Sequence, residues 1–334
     1  MSATLKDIAK QLDLSHATIS RVLTGKKNVK ISPETRRRVL QTARDMGYSS
    51  NRLAKALVTG STNTIALWMY EFYKTVYVNV IRHVRRELNR RSYETVILET
   101  LNQDRHEPAL WDRWWPVDAV FAYDSPITVK AFIERHKSLD VPIISTGVFC
   151  CKEVDHIEID LYSSVVEALR YMVRKGRRRI AYIATVTGDV AGDPRFDAYA
   201  LVMHEAGLPE EHITIDVNDP VLLRRLMRRG IRDYIQAHKH PDALLCCNDE
   251  TAISVYSGLR DIGLRIPEDV AILGIDGIED TEYLDPPLST IVLPFEELAS
   301  MSWKFLERRL QDRSIPKQEI VLKSQLIIRG SLDN

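Results

Sequence analysis

The sequence lacks the features that would assign it to a membrane, secreted or catalytic class. Its 334 residues contain no apolar run of about 18 or more, so no membrane span is predicted. The N-terminus has no apolar signal-peptide core, so we expect a cytoplasmic protein. GxGxxG, P-loop and GxSxG motifs and metal-spaced clusters are all missing, so we expect no enzymatic activity, no cofactor and no metal.

Cysteine is scarce, with four residues in two adjacent pairs, Cys150-Cys151 and Cys246-Cys247. Neither pair has CxxC or zinc-finger spacing. The second pair ends the apolar run ALLCC at 243–247, which is typical of a buried strand. We therefore predict that all four are reduced packing residues, with a redox or metal role as the alternative.

The chain has no net charge, because 46 Lys and Arg balance 46 Asp and Glu. Residues 1–60 contain twelve basic and four acidic residues, a net charge of +8, so the remainder of the chain carries −8. A basic head would be attracted to DNA phosphates, and an acidic body would be repelled by them. The alternative is a solvated basic face on a helical domain.

Three short helices with a shared apolar side are predicted at the N-terminus. Thr4, Ser15 and Ser32 each stand at a helix cap position, and Gly25 and Gly47 end the second and third helices. Apolar residues recur at helical spacing in all three segments. Three small helices of this kind predict a helix-turn-helix unit.

The second of these helices has a polar outer face. Its apolar positions, Ile19, Val22 and Leu23, point toward the shared core. The residues left outside are His16, Ala17, Ser20 and Arg21. These side chains suit a DNA groove, so this segment predicts a sequence-specific DNA-binding protein.

After about residue 62, apolar strand-like runs alternate with helical segments. Alternation of this kind predicts parallel sheets covered by helices on both faces. The series restarts near residue 161, which indicates two similar lobes. Ligands of open α/β sheets bind beyond the carboxyl ends of the strands, so we expect a binding site between the lobes.

Several ordered motifs resemble the LacI/GalR (lac-repressor) family over nearly the whole chain. They are LKDIAK at 5–10, LSHATISRVLTG at 14–25, ETRRRVL at 34–40, GY at 47–48, NRLAKAL at 51–57, ND at 248–249, IPEDVA at 266–271, GID at 274–276 and DPPLSTI at 285–291. The resemblance implies an all-α helix-turn-helix head joined to a two-lobed, periplasmic-binding-protein-like α/β core. It further implies a transcriptional regulator, most often a repressor, controlled by a small molecule.

The resemblance also implies the domain boundaries. They are a head at 1–49, a hinge helix and linker at 50–61, and an effector-binding and dimerisation core at 62–334. Within the core, the first lobe would comprise 62–160 and 294–323, and the second lobe 161–293 and 324–334. Family members are homodimers that bind pseudo-palindromic operators in double-stranded DNA, because two-fold proteins match two-fold sites. The chain ends at GSLDN without leucine heptads, so we expect a dimer rather than a tetramer.

Three groups of residues match the family's DNA-binding positions. Base edges would be contacted by His16, Ala17 and Arg21, with Arg21 suited to a bidentate pair with guanine. Phosphates would be contacted by Ser15, Thr18, Ser20 and Asn28. The minor groove would be entered by the hinge residues Asn51, Lys55 and Leu57, with Leu57 as the wedge. The alternatives are a phosphate contact for Arg21 and ordinary linker packing for Leu57.

The effector site implied by the resemblance draws on both lobes. The matching polar residues are Asp160, Arg195, Asn248, Asp249 and Asp276, each of which could instead be a structural hydrogen bonder. In the first lobe the chain departs from the family, since Gly147 stands where Asp is common and residues 70–75 are rich in aromatics. We expect Phe72, Tyr73 and Tyr77 to form a wall for a sugar face. A carbohydrate or sugar derivative is the expected effector.

Two other functional classes remain to be compared with a regulator. A cytosolic solute-binding protein without regulatory DNA binding fits the two-lobed body but not the basic head. An enzyme would need a catalytic motif, and none is found.

Overall fold

A computed structural model describes residues 3–23, 31–48, 60–70, 74–100, 117–137, 140–185, 192–217, 219 and 222–333. The chain divides into two compact units, Met1–Thr62 and Asn63–Asn334. The predicted fold class is confirmed, with an all-α first unit and a two-sheet α/β second unit. Within the described residues, no helix is long and apolar enough to cross a membrane.

The first unit contains the three predicted helices. They are α1 (Leu5–Leu12), α2 (His16–Leu23) and α3 (Pro33–Asp45). Thr4 and Asp7 form a reciprocal capping box, with Thr4 N donating to Asp7 Oδ2 at 2.8 Å and Asp7 N to Thr4 Oγ1 at 3.3 Å. The Ser32 hydroxyl accepts from Thr35 N at 3.1 Å and begins α3 in the same way.

A small core joins the three helices. Its fully enclosed members come from all three, and they are Ile8, Ile19, Val22, Val39 and Ala43. The predicted inward positions of α2 are thus confirmed for Ile19 and Val22. On α3, Val39 and Ala43 fill the space toward α1 and α2, whereas Leu40 is 38% exposed.

The second unit contains two six-stranded sheets. The first sheet has the order β11-β5-β4-β3-β1-β2, all parallel. Its strands are β1 (Thr64–Met69), β2 (Glu94–Glu99), β3 (Ala119–Tyr123), β4 (Ile143–Gly147), β5 (Asp155–Asp160) and β11 (Glu319–Lys323). The helices of this lobe are α4 (Thr75–Asn89), α5 (Pro126–Arg135) and α10 (Phe295–Gln311).

The second sheet has the order β12-β10-β9-β8-β6-β7. Its strands are β6 (Ile180–Thr185), β7 (Glu211–Ile215), β8 (Ala243–Cys246), β9 (Ala271–Asp276), β10 (Ser289–Val292) and β12 (Gln325–Ile327). Only β12 runs antiparallel among the described pairings. The helices are α6 (Tyr162–Arg174), α7 (Pro194–Ala206), α8 (Leu223–His238) and α9 (Asp249–Asp261), with a 3₁₀ turn at Glu279–Tyr283.

The central strands of both sheets are buried on both faces, as is typical of parallel sheets. Along β1, Ile65 and Leu67 pack on the side of α4 and α10, whereas Ala66 and Trp68 pack on the side of α5. The second sheet is covered by α6 and α7 on one face and by α8 and α9 on the other. Burial on each side explains why central strands such as β1, β3 and β8 are near-continuous apolar runs.

The chain passes between the two sheets three times, after β5, after β10 and between β11 and β12. The first and third passages touch at Ser324. Its hydroxyl donates to Asp160 O at 2.7 Å, and its carbonyl accepts from Ser164 Oγ at 3.0 Å. The two lobes are therefore joined by several strands of chain rather than by a single linker.

Candidate functional site

Helix α2 presents the outward face that the sequence predicts. The Ser15 hydroxyl accepts from Thr18 N at 3.1 Å and lies 2.9 Å from Thr18 Oγ1, so these two hydroxyls cap the helix. His16, Ala17 and Arg21 are exposed on the opposite side from the core. A short capped helix with a donor-rich exposed face is the geometry that reads base edges in a major groove.

Some of the predicted residues fall outside the described part of the chain. They are Asn28, Asn51, Lys55, Leu57, Phe72 and Tyr73. Their roles in the hinge, the phosphate contacts and the cleft wall stay predictions. The structure thus bears on the recognition helix and on the remainder of the effector site.

A cleft of about 290 Å³ lies between the two sheets of the second unit. Residues from both lobes line it at the carboxyl ends of the strands, as the sheet topology predicts. The first lobe contributes Tyr70, Tyr77, Tyr123, Asp124 and Phe149, among others. The second lobe contributes Tyr182, Asp193, Arg195, Asn248 and Asp276, among others. Of the predicted effector residues, Tyr77, Arg195, Asn248 and Asp276 meet here.

Arg195 is held by a carboxylate that the sequence analysis did not select. Its Nε donates to Asp193 Oδ1 at 2.8 Å, and its Nη2 donates to Asp193 Oδ2 at 2.7 Å. Its Nη1 donates to the Cys247 carbonyl at 2.9 Å. Asp193 also caps α7, since its Oδ1 accepts from Arg195 N at 2.9 Å. The guanidinium is therefore fixed in place with its charge already paired.

Asp276 ends β9 and lines the cleft from the second lobe. It is only 8% exposed, and its φ of 125° lies in a region that non-glycine residues rarely adopt. Among the described residues, none donates a hydrogen bond to its carboxylate. Burial, with the neighbouring Asp249 charge as a second cause, raises the pKa of Asp276 well above its ordinary value.

Asp124 follows β3 and is a second acid in the cleft. Its Oδ1 accepts from Phe149 N at 2.9 Å. Burial raises the pKa of Asp124 to about 7, despite the opposing effects of that hydrogen bond and of Arg195. Sequence reasoning missed this residue, although its position directly after a buried strand was the available signal.

Gly147 explains how the carboxylate of Asp124 fits. Gly147 has a φ of 117°, and a Cβ at this position would collide with the Asp124 carboxylate. The resemblance implies an Asp at this position in relatives. In this chain the acid comes instead from the neighbouring strand, and glycine leaves the space for it.

Gly147→Ala should therefore destabilise the protein by about 2 kcal/mol, because the new methyl group displaces Asp124 in a packed site. Gly207→Ala is the matched control, since Gly207 also has a positive φ of 62° but no neighbouring atom within 4 Å of the place that a Cβ would take. Urea denaturation of both variants measures the difference. Equal losses in the two variants would contradict this account of Gly147.

The structure does not place Asp249 or Asp160 in the wall of the cleft. The Asp249 carboxylate is fully buried and accepts from Thr290 Oγ1 at 2.7 Å and from Gly277 N at 2.8 Å. It thereby fixes the chain that follows Asp276, although burial still raises its pKa to about 6. Asp160 Oδ1 accepts from Ser163 N at 2.9 Å in the first turn of α6. Both make the structural hydrogen bonds that the alternative expects, and an effector-binding role for them stays a prediction.

Asn248 lines the cleft and also has a structural task. Its Oδ1 accepts from Thr251 N at 2.8 Å and caps α9. Two residues further, Glu250 reaches the other lobe, where its Oε1 accepts from Thr75 Oγ1 at 2.7 Å. Arg224 Nη2 lies 3.4 Å from the same oxygen. A polar contact therefore joins α4 of the first lobe to α9 of the second.

The cysteines are free thiols, with Cys151, Cys246 and Cys247 buried and Cys150 half-buried. Cys247 lines the cleft with its carbonyl already bonded to Arg195. Burial raises the pKa of the Cys150 thiol to about 11. Across the described residues, no group of His, Cys, Asp and Glu has the arrangement of a metal site.

Comparison with known proteins assigns each unit to a family model. Residues 4–51 match the model "Bacterial regulatory proteins, lacI family", and residues 169–332 match a periplasmic binding protein-like domain. Catabolite control protein A of Staphylococcus epidermidis is 25% identical over 339 residues, covering 99% of each chain. The repressor CytR of Escherichia coli K12 is 26% identical over 333 residues, covering 99% of this chain and 96% of CytR.

Solved structures share the fold over the same length. The lac repressor dimer bound to operator and an anti-inducer has a TM-score of 0.80 at 19% identity and covers 99% of each chain. A complex of the regulator CelR with cellobiose has a TM-score of 0.64 at 23% identity, covering 98% of this chain and 99% of CelR. The two family models, together with regulators that align with 99% of the chain, show that the chain belongs to the lacI family of bacterial regulatory proteins.

Proposed function

We propose that this chain is a transcriptional repressor that binds a pseudo-palindromic operator as a homodimer and releases or tightens it in response to a small molecule. The exposed His16, Ala17 and Arg21 face of the capped helix α2 carries this proposal. The +8 charge of residues 1–60 supports DNA binding through phosphate neutralisation. CytR is named as a repressor, and the lac repressor neighbour is a dimer on its operator.

The effector would bind in the cleft between the lobes. A wall of carboxylates, a fixed guanidinium and aromatic rings suits a carbohydrate or a sugar derivative, since hydroxyls donate to carboxylates and rings stack on sugar faces. The CelR–cellobiose complex supports the same ligand class. Binding that changes the separation of the lobes would couple effector and operator affinity reciprocally.

The other functional classes fit the molecule less well. A solute-binding protein without regulatory DNA binding would not need the basic first unit or the polar face of its second helix. Family membership favours regulation over catalysis, and we propose that the chain has no enzymatic activity. We further propose that it acts in the cytoplasm, where its operator would be accessible.

Arg21→Ala should weaken specific operator binding by at least about 2 kcal/mol, roughly 30-fold, because a bidentate arginine–guanine pair is lost. The operator is first selected from a random DNA pool with the full chain, and affinity is then measured by fluorescence anisotropy. Arg38→Ala is the matched control, since Arg38 is an exposed residue of α3 and its removal lowers the charge equally.

Arg21→Lys separates charge from geometry in this assay. Lysine keeps the positive charge but cannot form the planar pair of hydrogen bonds, so specificity should fall while non-specific DNA binding is retained. Arg21→Ala and Arg38→Ala with the same affinity for the selected operator would refute α2 as the reading helix.

A further inference from the structure

Among the described residues that line the cleft, acids outnumber cations by three to two. Three carboxylates, Asp124, Asp193 and Asp276, line it together with the two cations Arg195 and Lys74. Asp193 takes the charge of Arg195 in a bidentate ion pair in which both side chains are about one-fifth exposed. Arg195 is also the cation that acts on both Asp124 and Asp276. These two acids therefore share a cation that is already paired.

Asp276 is the acid of the cleft whose carboxylate is available to a ligand. Its carboxylate is more than nine-tenths buried, and no described residue donates a hydrogen bond to it. An acceptor that lines the cleft without a protein donor is available to a ligand. Burial raises the pKa of both Asp124 and Asp276, so ionising either acid in the cleft is unfavourable. A hydroxyl group would supply only a hydrogen bond, whereas a cation would also favour the ionised carboxylates.

The aromatic residues of the cleft provide a second independent indication. Tyr77 and Tyr123 meet edge to face at 5.6 Å between ring centroids, and Phe149, Tyr70 and Tyr182 complete the set. Aromatic faces attract cations, and the effect grows when the site is desolvated. Carboxylates combined with several rings are the recognition chemistry of an ammonium group.

We propose that the effector carries a protonated amino group that binds between Asp124 and Asp276, on a hydroxylated body such as an amino sugar or an aminated polyol. This inference rests on the proposed function, because it specifies the ligand of the same cleft. Arg195 uses three of its five N–H groups on Asp193 and Cys247. The other two can donate to ligand hydroxyls.

The test compares three amines with their neutral parents by isothermal titration calorimetry on the full chain near pH 7. The pairs are glucosamine and glucose, galactosamine and galactose, and glucamine and sorbitol. We expect at least one amine to bind about 10-fold more tightly than its parent, a difference of about 1.4 kcal/mol. Thermal shift on the same pairs should rank them in the same order.

Isosteric variants show which carboxylates cause the preference for the amine over its neutral parent. Asp276→Asn should reduce it to less than about twofold, since asparagine keeps the shape and tolerates positive φ but removes the charge. Asp124→Asn serves as the second variant if Asp276→Asn does not melt cooperatively. Asp197→Asn removes an exposed carboxylate of α7 outside the cleft wall and should keep the full preference.

Two outcomes overturn the inference. One is that no amine binds better than its neutral parent, which includes the absence of any amine binding. The other is an amine preference that survives in both Asp276→Asn and Asp124→Asn. Operator binding measured on the same preparation shows whether the proposed function stands when this inference fails.

Discussion

Arg195→Ala is expected to lower the free energy of unfolding by about 3 kcal/mol and to abolish ligand binding in the cleft. The estimate is at the lower end of the range for breaking a buried ion pair, because Arg195 and Asp193 are 22% and 17% exposed. Removal of the guanidinium leaves Asp193 beside Asp124 and Asp276 without a shared cation. Urea denaturation of the variant and the wild type measures the effect.

The double variant Arg195→Ala/Asp193→Asn identifies the physical cause. If an uncompensated carboxylate is responsible, removing its charge should recover at least half of the lost stability. Ligand binding should not recover, since the guanidinium donors are still missing. A double variant no more stable than Arg195→Ala alone would instead indicate that packing of the arginine stem is the main contribution.

Asp124→Asn is expected to change the pH dependence of stability by up to about 4 kcal/mol. Burial holds the pKa of Asp124 at about 7, whereas the ordinary value in an unfolded chain is 3.8. Between these values the folded protein keeps a proton that the unfolded chain releases. The wild-type contribution is therefore present at low pH and is lost as pH rises toward 7.

Asparagine cannot titrate, so the variant should gain stability relative to wild type across this window. The gain should rise by about 1.4 kcal/mol for each pH unit and become constant above about pH 7. Denaturation series at several pH values measure the difference, with Asp197→Asn as an exposed control. Parallel stability curves for wild type and Asp124→Asn would show that the carboxylate is not desolvated in the folded protein.

The strands that can be predicted from the sequence are those that consist of consecutive apolar residues, because such runs are typical of buried strands. Runs such as Thr64–Met69 and Ala119–Tyr123 predict strands with the observed bounds. Strand β5 is not predicted, because its sequence DHIEID mixes charges with isoleucines. Asp155 is tolerated there since Arg309, 154 residues away, donates to it at 2.7 and 2.9 Å. A distant partner of this kind leaves no local signal.

The residues of the candidate site, like the strands, can be predicted from the sequence only in part. Arg195 and Asp276 can be found through their motifs, and the structure brings both to the cleft. Asp124 and Asp193 are harder to find, because their signal, an acid directly after a strand or before a helix, is common in loops. Their importance comes from the approach of two lobes, which only the three-dimensional structure specifies. Gly147, a departure from the family in the sequence, leaves the space that Asp124 occupies.

The contact at Ser324 has a mechanical consequence. Because Ser324 binds Asp160 and Ser164, two of the three passages between the lobes are hydrogen-bonded to each other, so we expect these two to move together. One line of attachment is the hydrogen-bonded pair of passages and the other is the passage after β10. A lobe attached at these two places rotates readily about the axis that joins them but resists sliding along the other lobe. Closure of the cleft would then rotate one lobe relative to the other about a fixed axis. Ligands of different size would change the angle of this rotation but not its axis.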